Sequence, residues 1–293
     1  MPEGQIRKAI SGFYYVKYDG GTVRCRGRGV FRKRKITPLV GDWVTYVQEG
    51  VEDATITEVH PRKNELVRPP VSNIDLALLA VSIVEPAFSS NLLDRFLVLV
   101  ESHHIEPVIC LTKKDKANEA DLQKAEEAAA YYRSIGYSVL MTSIDELGLI
   151  EKLQPFLEGK TTVLAGQSGV GKSTLLNTLL PNLSLETGEI SESLGRGKHT
   201  TRHVELHEVA GGLVADTPGF SSLEFDTLEK QELGSCFPEF LEASEQCKFR
   251  GCLHLKEPSC EVKRKVESGE ILQSRYNHYL QFLQEITDRK PRY

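Results

Sequence analysis

The sequence motifs of a nucleotide switch occur in this chain in an inverted order. Gly166, Gln167, Ser168, Gly169, Val170, Gly171, Lys172 and Ser173 meet the phosphate-loop pattern G-x-x-x-x-G-K-[ST] in full, and Asp216-Thr217-Pro218-Gly219 follows it, but the base-reading motif Thr112-Lys113-Lys114-Asp115 precedes both. In an unpermuted switch the phosphate loop opens the domain and the base reader closes it. The inverted order predicts a circularly permuted core, which the chain leaves just past the γ-phosphate sensor. Whatever follows Gly219 is then joined covalently to the switch.

The phosphate loop carries the strongest chemistry. It lies between the apolar run Thr162-Val-Leu-Ala165 and the helix-forming run Thr174-Leu-Leu-Asn177, the strand-to-helix setting in which glycines let backbone N–H groups surround phosphate oxygens. Lys172 is expected to reach the β- and γ-phosphates as the catalytic cation, and the Ser173 hydroxyl to bind Mg²⁺. Asp216 ends a second apolar run, Gly212-Leu-Val-Ala-Asp216, which places a carboxylate near Mg²⁺ and the Gly219 amide near the γ-phosphate.

The base reader follows a third apolar run, Glu106-Pro-Val-Ile-Cys-Leu111. A carboxylate there accepts two hydrogen bonds, from guanine N1–H and the 2-amino group, and adenine offers neither, so Asp115 selects GTP over ATP. Thr112 stands where such motifs usually carry Asn, a change expected to weaken the bracing of the loop or the affinity for nucleotide, though not the discrimination by Asp115. Lys113 completes the motif. Ser143, after the strand-like Ser138-Val-Leu-Met141, reads either as a backbone contact to the guanine oxygen or as a plain helix cap.

In the order T-K-x-D, G-Q-S-G-V-G-K-S, G-R-G-K-H-T-T-R and D-T-P-G-F, the chain resembles the small-subunit-dependent GTPases of the RsgA/YjeQ type, nearly end to end. The resemblance implies an N-terminal OB-fold barrel, a permuted α/β P-loop GTPase core and a C-terminal zinc domain. It also implies binding to the small ribosomal subunit late in its maturation.

The residues themselves bear on each part. Residues 1–67 hold twelve Lys/Arg against eight Asp/Glu, a local surplus of +4 in a chain whose formal charge is −5. Arg24, Arg26 and Arg28 alternate, which puts them on one face of a strand, while Arg32, Lys33, Arg34 and Lys35 read as a loop before Thr37-Pro38. Short β patterns at Gly12–Tyr18, Asp42–Val47 and Asp53–Val59 suit a small closed barrel. Basic and aromatic-containing, such a barrel reads as an RNA binder, or else as a structural barrel with a solvated charge run. Trp43 and the tyrosines are expected in its core. The prolines in Arg68-Pro69-Pro70-Val-Ser-Asn73 mark a linker.

From there a β–α alternation begins, with helices expected near Asn91–Val100, Leu122–Ser134 and Leu147–Leu157, so residues 68–225 form the α/β core. Residues 226–293 form a mainly α unit around Cys247, Cys252, His254 and Cys260. Three thiolates and an imidazole at that spacing suit one structural, tetrahedral Zn²⁺ per chain with no open position. A histidine in the cluster and a cytoplasmic setting favour zinc over disulfides. Cys25, Cys110 and Cys236 read as small buried residues. Leu272, Tyr276, Tyr279, Leu280, Leu283 and Ile286 recur at helical spacing as a packing face. The tail Asp288–Tyr293 reads either as an RNA contact or as solvated. With no apolar run of membrane length and no signal-peptide start, the chain is expected to be a cytoplasmic monomer.

The expected activity is hydrolysis of GTP to GDP and phosphate, acting as a checkpoint in subunit assembly. An RNA-binding assembly module with a structural nucleotide is one alternative, and a kinase another. Phe220 occupies the position where many switch GTPases orient water with glutamine, and it has no hydrogen-bonding side chain. Within Gly195-Arg-Gly-Lys-His-Thr-Thr-Arg202, His199 is expected to position the water, which the resemblance also supports. Thr201, with Thr200 as the alternative, is the expected Mg²⁺ ligand there.

Overall fold

The structure is a computed structural model that describes residues 1–48, 53–67, 69–143, 146, 148–180, 204–216 and 223–289, apart from the side chain of Arg32. Its first strands are β1 (Glu3–Ile10), β2 (Phe13–Tyr18) and β3 (Gly21–Gly27). The short helix α1 (Gly29–Lys33) follows, then β4 (Trp43–Gln48) and β5 (Asp53–Val59). These strands close in the order β1-β2-β3-β5-β4 and back to β1, with β3 and β5 parallel and the other pairs antiparallel. Ile6, Val16, Cys25, Val44 and Ile56, all at 0% exposure, fill the interior. Closure removes the free edges that an open sheet leaves unpaired.

Two expectations change here. Arg32 and Lys33 lie in α1, not in a loop, because Phe31 is buried against the barrel and draws one turn of helix down onto it. Trp43 is 50% exposed, whereas Tyr46 is 3% exposed in the core. On a half-buried strand adjacent positions face opposite ways, and Val44 takes the inward position next to Trp43.

The proline-containing segment is also more ordered than a linker. β6 (Glu65–Leu66) and β7 (Val71–Ser72) form a small hairpin across it. Asp42, fully buried, binds this hairpin to the barrel by accepting from Ser72 Oγ at 2.6 Å, Arg62 Nε at 2.7 Å and Leu39 N at 2.7 Å.

The core then runs β8 (Leu76–Ser82), α2 (Ser90–Ser102), β9 (Glu106–Thr112), α3 (Glu119–Ser134), β10 (Ser138–Met141), α4 (Leu149–Leu157), β11 (Thr161–Ala165) and α5 (Lys172–Leu179). After it come β12 (Val204–Val209) and β13 (Gly212–Ala215). Side-chain caps start two of the helices: Ser89 accepts from Leu92 N, and Asn118 accepts from Asp121 N. β10, β9, β8, β11 and β13 are parallel neighbours in that order, and β12 runs antiparallel to β13. Every residue of β8 is buried, as a central parallel strand covered on both faces requires. β12 also pairs with β1 through Lys8–Glu205 and Ala9–Val204, which joins barrel and core into one 11-stranded sheet.

The C-terminal region is helical: α6 (Pro238–Ser244), α7 (Glu261–Glu267) and α8 (Gln273–Asp288). The expected packing face of α8 is confirmed at Tyr279, Leu283 and Ile286, while Leu272 is 42% exposed just before the helix begins. Phe282 and Arg275 are buried on it as well. Arg275, 1% exposed, donates to Asp94 of α2 at 2.6 Å and to both oxygens of Glu239 at 2.7 and 3.1 Å. Tyr132 and His278 reach the two oxygens of Asp94 at 2.6 Å each. The network ties α8 and α6 to the core. Arg275→Met leaves two buried carboxylates without their cation and is expected to lower stability by about 3–5 kcal/mol. Urea unfolding followed by circular dichroism measures this; a loss below about 1 kcal/mol would mean the network is solvated.

Candidate functional site: a phosphate loop, a base reader and a thiolate cluster

The parallel strands bring the motifs to one edge of the sheet. The phosphate loop leaves the C-terminal end of β11, the base reader that of β9, Ser143 lies just past β10, and Asp216 immediately follows β13. Strand order places β8 alone between β9 and β11, so motifs far apart in sequence converge at the carboxyl ends, where ligands of open α/β sheets bind.

Gly166 starts the loop at φ +145°, and a Cβ there would lie 2.2 Å from the Ala80 carbonyl oxygen of β8. Only glycine allows that approach. Gln167, Ser168 and Gly169 are exposed, and Val170 is buried beneath them. Gly171 opens α5 at φ +96° with no side-chain cap, so the first N–H groups of α5, through Ser173 and Thr174, have no side-chain acceptor at Gly171. Lys172 Nζ bonds the Gln167 carbonyl, and burial lowers its pKa, because the charged ammonium is partly stripped of water.

At the reader, Thr112 is 2% exposed and donates through Oγ1 to the Val170 carbonyl at 2.7 Å. The threonine hydroxyl ties the reader directly to the phosphate loop. Lys113 adopts φ +61°, which turns the chain into a single 3-10 turn over Lys114–Lys116, and its Nζ bonds the Glu85 carbonyl. Asp115 is exposed on that turn. Thr142 and Ser143 lie against it, with Lys114 N donating to the Thr142 carbonyl at 3.4 Å.

Asp216 is bound to β12 on both sides: its N–H donates to the Glu205 carbonyl at 3.1 Å, and its Oδ1 accepts from Glu205 N at 3.0 Å. Burial raises its pKa, against the opposing pull of that N–H and of His207. Gly219, Phe220, His199, Thr200, Thr201 and Arg202 lie outside the described residues.

Sequence reading missed the residues that hold the chain beyond the sensor. Arg95 of α2 lies over the Phe225 and Phe282 rings at 4.8 Å each and donates to the Leu223 carbonyl at 3.0 Å and to Glu285 at 2.9 Å. Arg289 bonds the carbonyls of Phe225 and Leu228, so this cation of the tail anchors the chain internally. No local pattern reports such long-range contacts.

In the thiolate cluster, the ligand atoms of Cys247, Cys252, His254 and Cys260 lie within 4.8 Å of one another, with His254 Nδ1 at 3.4 Å from Cys260 Sγ and 3.9 Å from Cys247 Sγ. A tetrahedron of ~2.3 Å Zn–S bonds has edges of ~3.8 Å, so the donor set fits one such ion. Tyr276 and Tyr279 hold the ligand loop to α8 by donating to the His254 and Leu253 carbonyls at 2.6 and 2.8 Å. Burial pushes the Cys260 thiol up to about 12 and lowers the pKa of His254. Cys25, Cys110 and Cys236 are buried, as expected.

On the barrel, Arg24 and Arg26 project outward from β3 and both stack on Phe13, at 5.2 and 4.7 Å, while Arg24 also pairs with Asp53 at 2.7 Å. Arg28, Lys33, Arg34 and Lys35 are exposed, and among the described residues none of these four forms an ion pair.

Residues 59–226 match the family described as RsgA GTPase, and residues 3–56 match the RsgA N-terminal domain. The small ribosomal subunit biogenesis GTPase RsgA of Bacillus cereus is 58% identical over 293 residues, 100% of each chain. The protein of the same name from Bacillus subtilis is 57% identical, again over 100% of each. Among solved structures, YloQ, a circularly permuted GTPase, superposes with a TM-score of 0.86 at 53% identity, over 100% of this chain and 97% of that one. YjeQ from Thermotoga maritima gives 0.85 at 37% identity, over 98% and 99%. With motifs, permuted sheet and full-length likeness in agreement, the chain belongs to the RsgA GTPase family.

Proposed function

We propose that the chain hydrolyses GTP on the small ribosomal subunit and acts there as a late maturation checkpoint, its conformational state rather than a chemical product being the output. The observation that carries this reading is the convergence of the phosphate loop, the reader and Asp216 on one sheet edge; the name of the relatives, small ribosomal subunit biogenesis GTPase, supports the partner. In this reading residues 166–174 cradle the phosphates, Lys172 neutralises the charge that develops on them, and Asp115 with Lys113 reads guanine. Ser143 contributes from β10. Ser173, Asp216 and Thr201 hold Mg²⁺, which screens the phosphate charge when bound. The barrel, residues 1–67, docks on rRNA through Arg24, Arg26, Arg28, Arg32, Lys33, Arg34 and Lys35; residues 68–225 are the GTPase unit and residues 226–293 the zinc unit. The protein works in the cytoplasm, where assembling subunits are, as a monomer.

His199 positions the attacking water, ordered by the subunit. GTP turnover by the parent chain is then slow alone and rises by orders of magnitude with purified small subunits, and His199→Ala loses most of that stimulation while keeping GTP affinity. Near-parental stimulated turnover in the variant excludes His199; no stimulation of the parent favours a structural nucleotide.

Thr112 joins the reader to the phosphate loop, so Thr112→Val strands the buried Val170 carbonyl and costs about 1–2 kcal/mol. Affinity for a fluorescent GDP analogue is expected to fall roughly fivefold or more, since both halves of the site loosen together. An unchanged affinity would show that the bond does not brace the site.

The cluster holds one structural zinc. Elemental analysis is expected to find about one zinc per chain in protein prepared without chelator, and Cys260→Ala to lose it while GDP binding persists. Because burial raises the pKa of the Cys260 and Cys252 thiols, zinc has to displace their protons, and its affinity weakens as pH falls. A pH-independent affinity, or metal-free parent protein, contradicts the assignment.

A further inference from the structure

A sizeable cavity lies away from the phosphate loop. It measures about 690 Å³ and opens where the barrel meets the opposite edge of the core sheet, beside the start of β11 and the β12–β13 turn. Its volume falls within the range of small-ligand sites. Gly212 lines it, and a Cβ there would lie 1.9 Å from the Leu157 carbonyl oxygen, so the β12–β13 turn packs tightly against the end of α4.

Two side chains give it a chemical character. Arg7 of β1 lines the cavity, and its Nε and Nη1 are shielded from solvent with no hydrogen-bond partner. A guanidinium stays charged, and shielded N–H donors without an acceptor are costly. Burial lowers the Arg7 pKa, and Glu208 opposes that only across a gap, with no ion pair between them among the described residues. Trp43 lines the same cavity and is half-exposed. It pairs across the strands with Gln5, two residues from Arg7, so the backbone positions that carry indole and guanidinium are offset by ~7 Å along β1. That is the scale of one nucleotide from base to phosphate.

The remaining charges decide between ligands. Lys63 is paired with Asp75 and Lys160 with Glu106, leaving Arg7 facing Glu208 on the lining. The lining itself carries three cations, Arg7, Lys63 and Lys160, against two carboxylates, Asp75 and Glu208, and a surplus of one suits a singly charged phosphodiester better than a di- or triphosphate. We propose that this cavity is a second ligand site that takes one nucleotide of a single-stranded RNA, its base stacked on Trp43 and its phosphate held by Arg7. The inference deepens the RNA-binding part of the proposed function but uses none of the basic residues assigned to it, so either can fail alone.

Trp43 is the single tryptophan of the chain, so its fluorescence reports on this cavity directly. With Mg²⁺ and GDP saturating, penta-uridylate is titrated, since it carries no guanine to compete at the reader. Saturable quenching is expected, weakened roughly tenfold or more in Arg7→Met, as for a lost charge-assisted hydrogen bond, and strengthened in Glu208→Gln, which removes the opposing charge. Arg34→Ala/Lys35→Ala protein is expected to retain the quenching, which separates this site from the basic surface. Uridine monophosphate is the control for a free nucleotide and is expected to bind more weakly. No saturable change in emission means the cavity holds water only and overturns the proposal. Quenching that is unaltered in both Arg7→Met and Glu208→Gln overturns it too, and uridine monophosphate binding as tightly as the pentamer overturns the assignment to a strand.

Discussion

The pairing of β1 with β12 is the contact on which the rest of the arrangement depends. It continues a barrel strand into the edge of the core sheet, so barrel and core share backbone hydrogen bonds as well as a side-chain interface. Glu205 is the residue through which this pairing meets the sensor motif. Its backbone exchanges hydrogen bonds with Asp216, its side chain pairs with Lys8, and its Cα partner on β1 is Lys8. One residue thus separates the barrel strand from Asp216.

The helix α2 does for the C-terminal region what β1 does for the barrel. Asp94 and Arg95 are adjacent in sequence, yet Asp94 enters the buried network with Arg275, Tyr132 and His278, while Arg95 holds Leu223 and Glu285. One turn of helix thus fixes both α8 and the chain that emerges past the sensor. The thiolate cluster is held to the same α8 by Tyr276 and Tyr279. In a permuted core, where the chain leaves directly after the sensor, this anchoring ties the exit segment and the C-terminal unit to one rigid element.

Much of the candidate site was legible because its determinants are local. A phosphate loop needs glycines at fixed offsets between a strand and a helix, and Gly166 and Gly171 satisfy steric demands that show in a short window of sequence. Cys247, Cys252, His254 and Cys260 are likewise close in the chain, so their spacing alone suggested a metal cluster. Less was legible in the barrel. β1 gave no alternating signal, since it is contacted by β2, β4 and β12 and presents three consecutive buried residues instead of every second one. The helical turn at Arg32 and Lys33 and the outward position of Trp43 depend on which neighbour, Phe31 or Val44, wins the interior.

By itself, the sequence determined the permuted order of the motifs, the strand-to-helix setting of the phosphate loop, the α/β alternation of the core and the thiolate cluster. Each follows from steric or ligand rules that operate over a few residues. Only the tertiary structure decided that Thr112 fastens the reader to Val170, that Arg275 is buried between Asp94 and Glu239, that Arg289 is an internal anchor, and that β1 joins two sheets around a cavity holding Arg7. A threonine or an arginine has the same local propensity whether its partner is water or a carboxylate far along the chain. Long-range partners are chosen by packing, which no window of sequence contains.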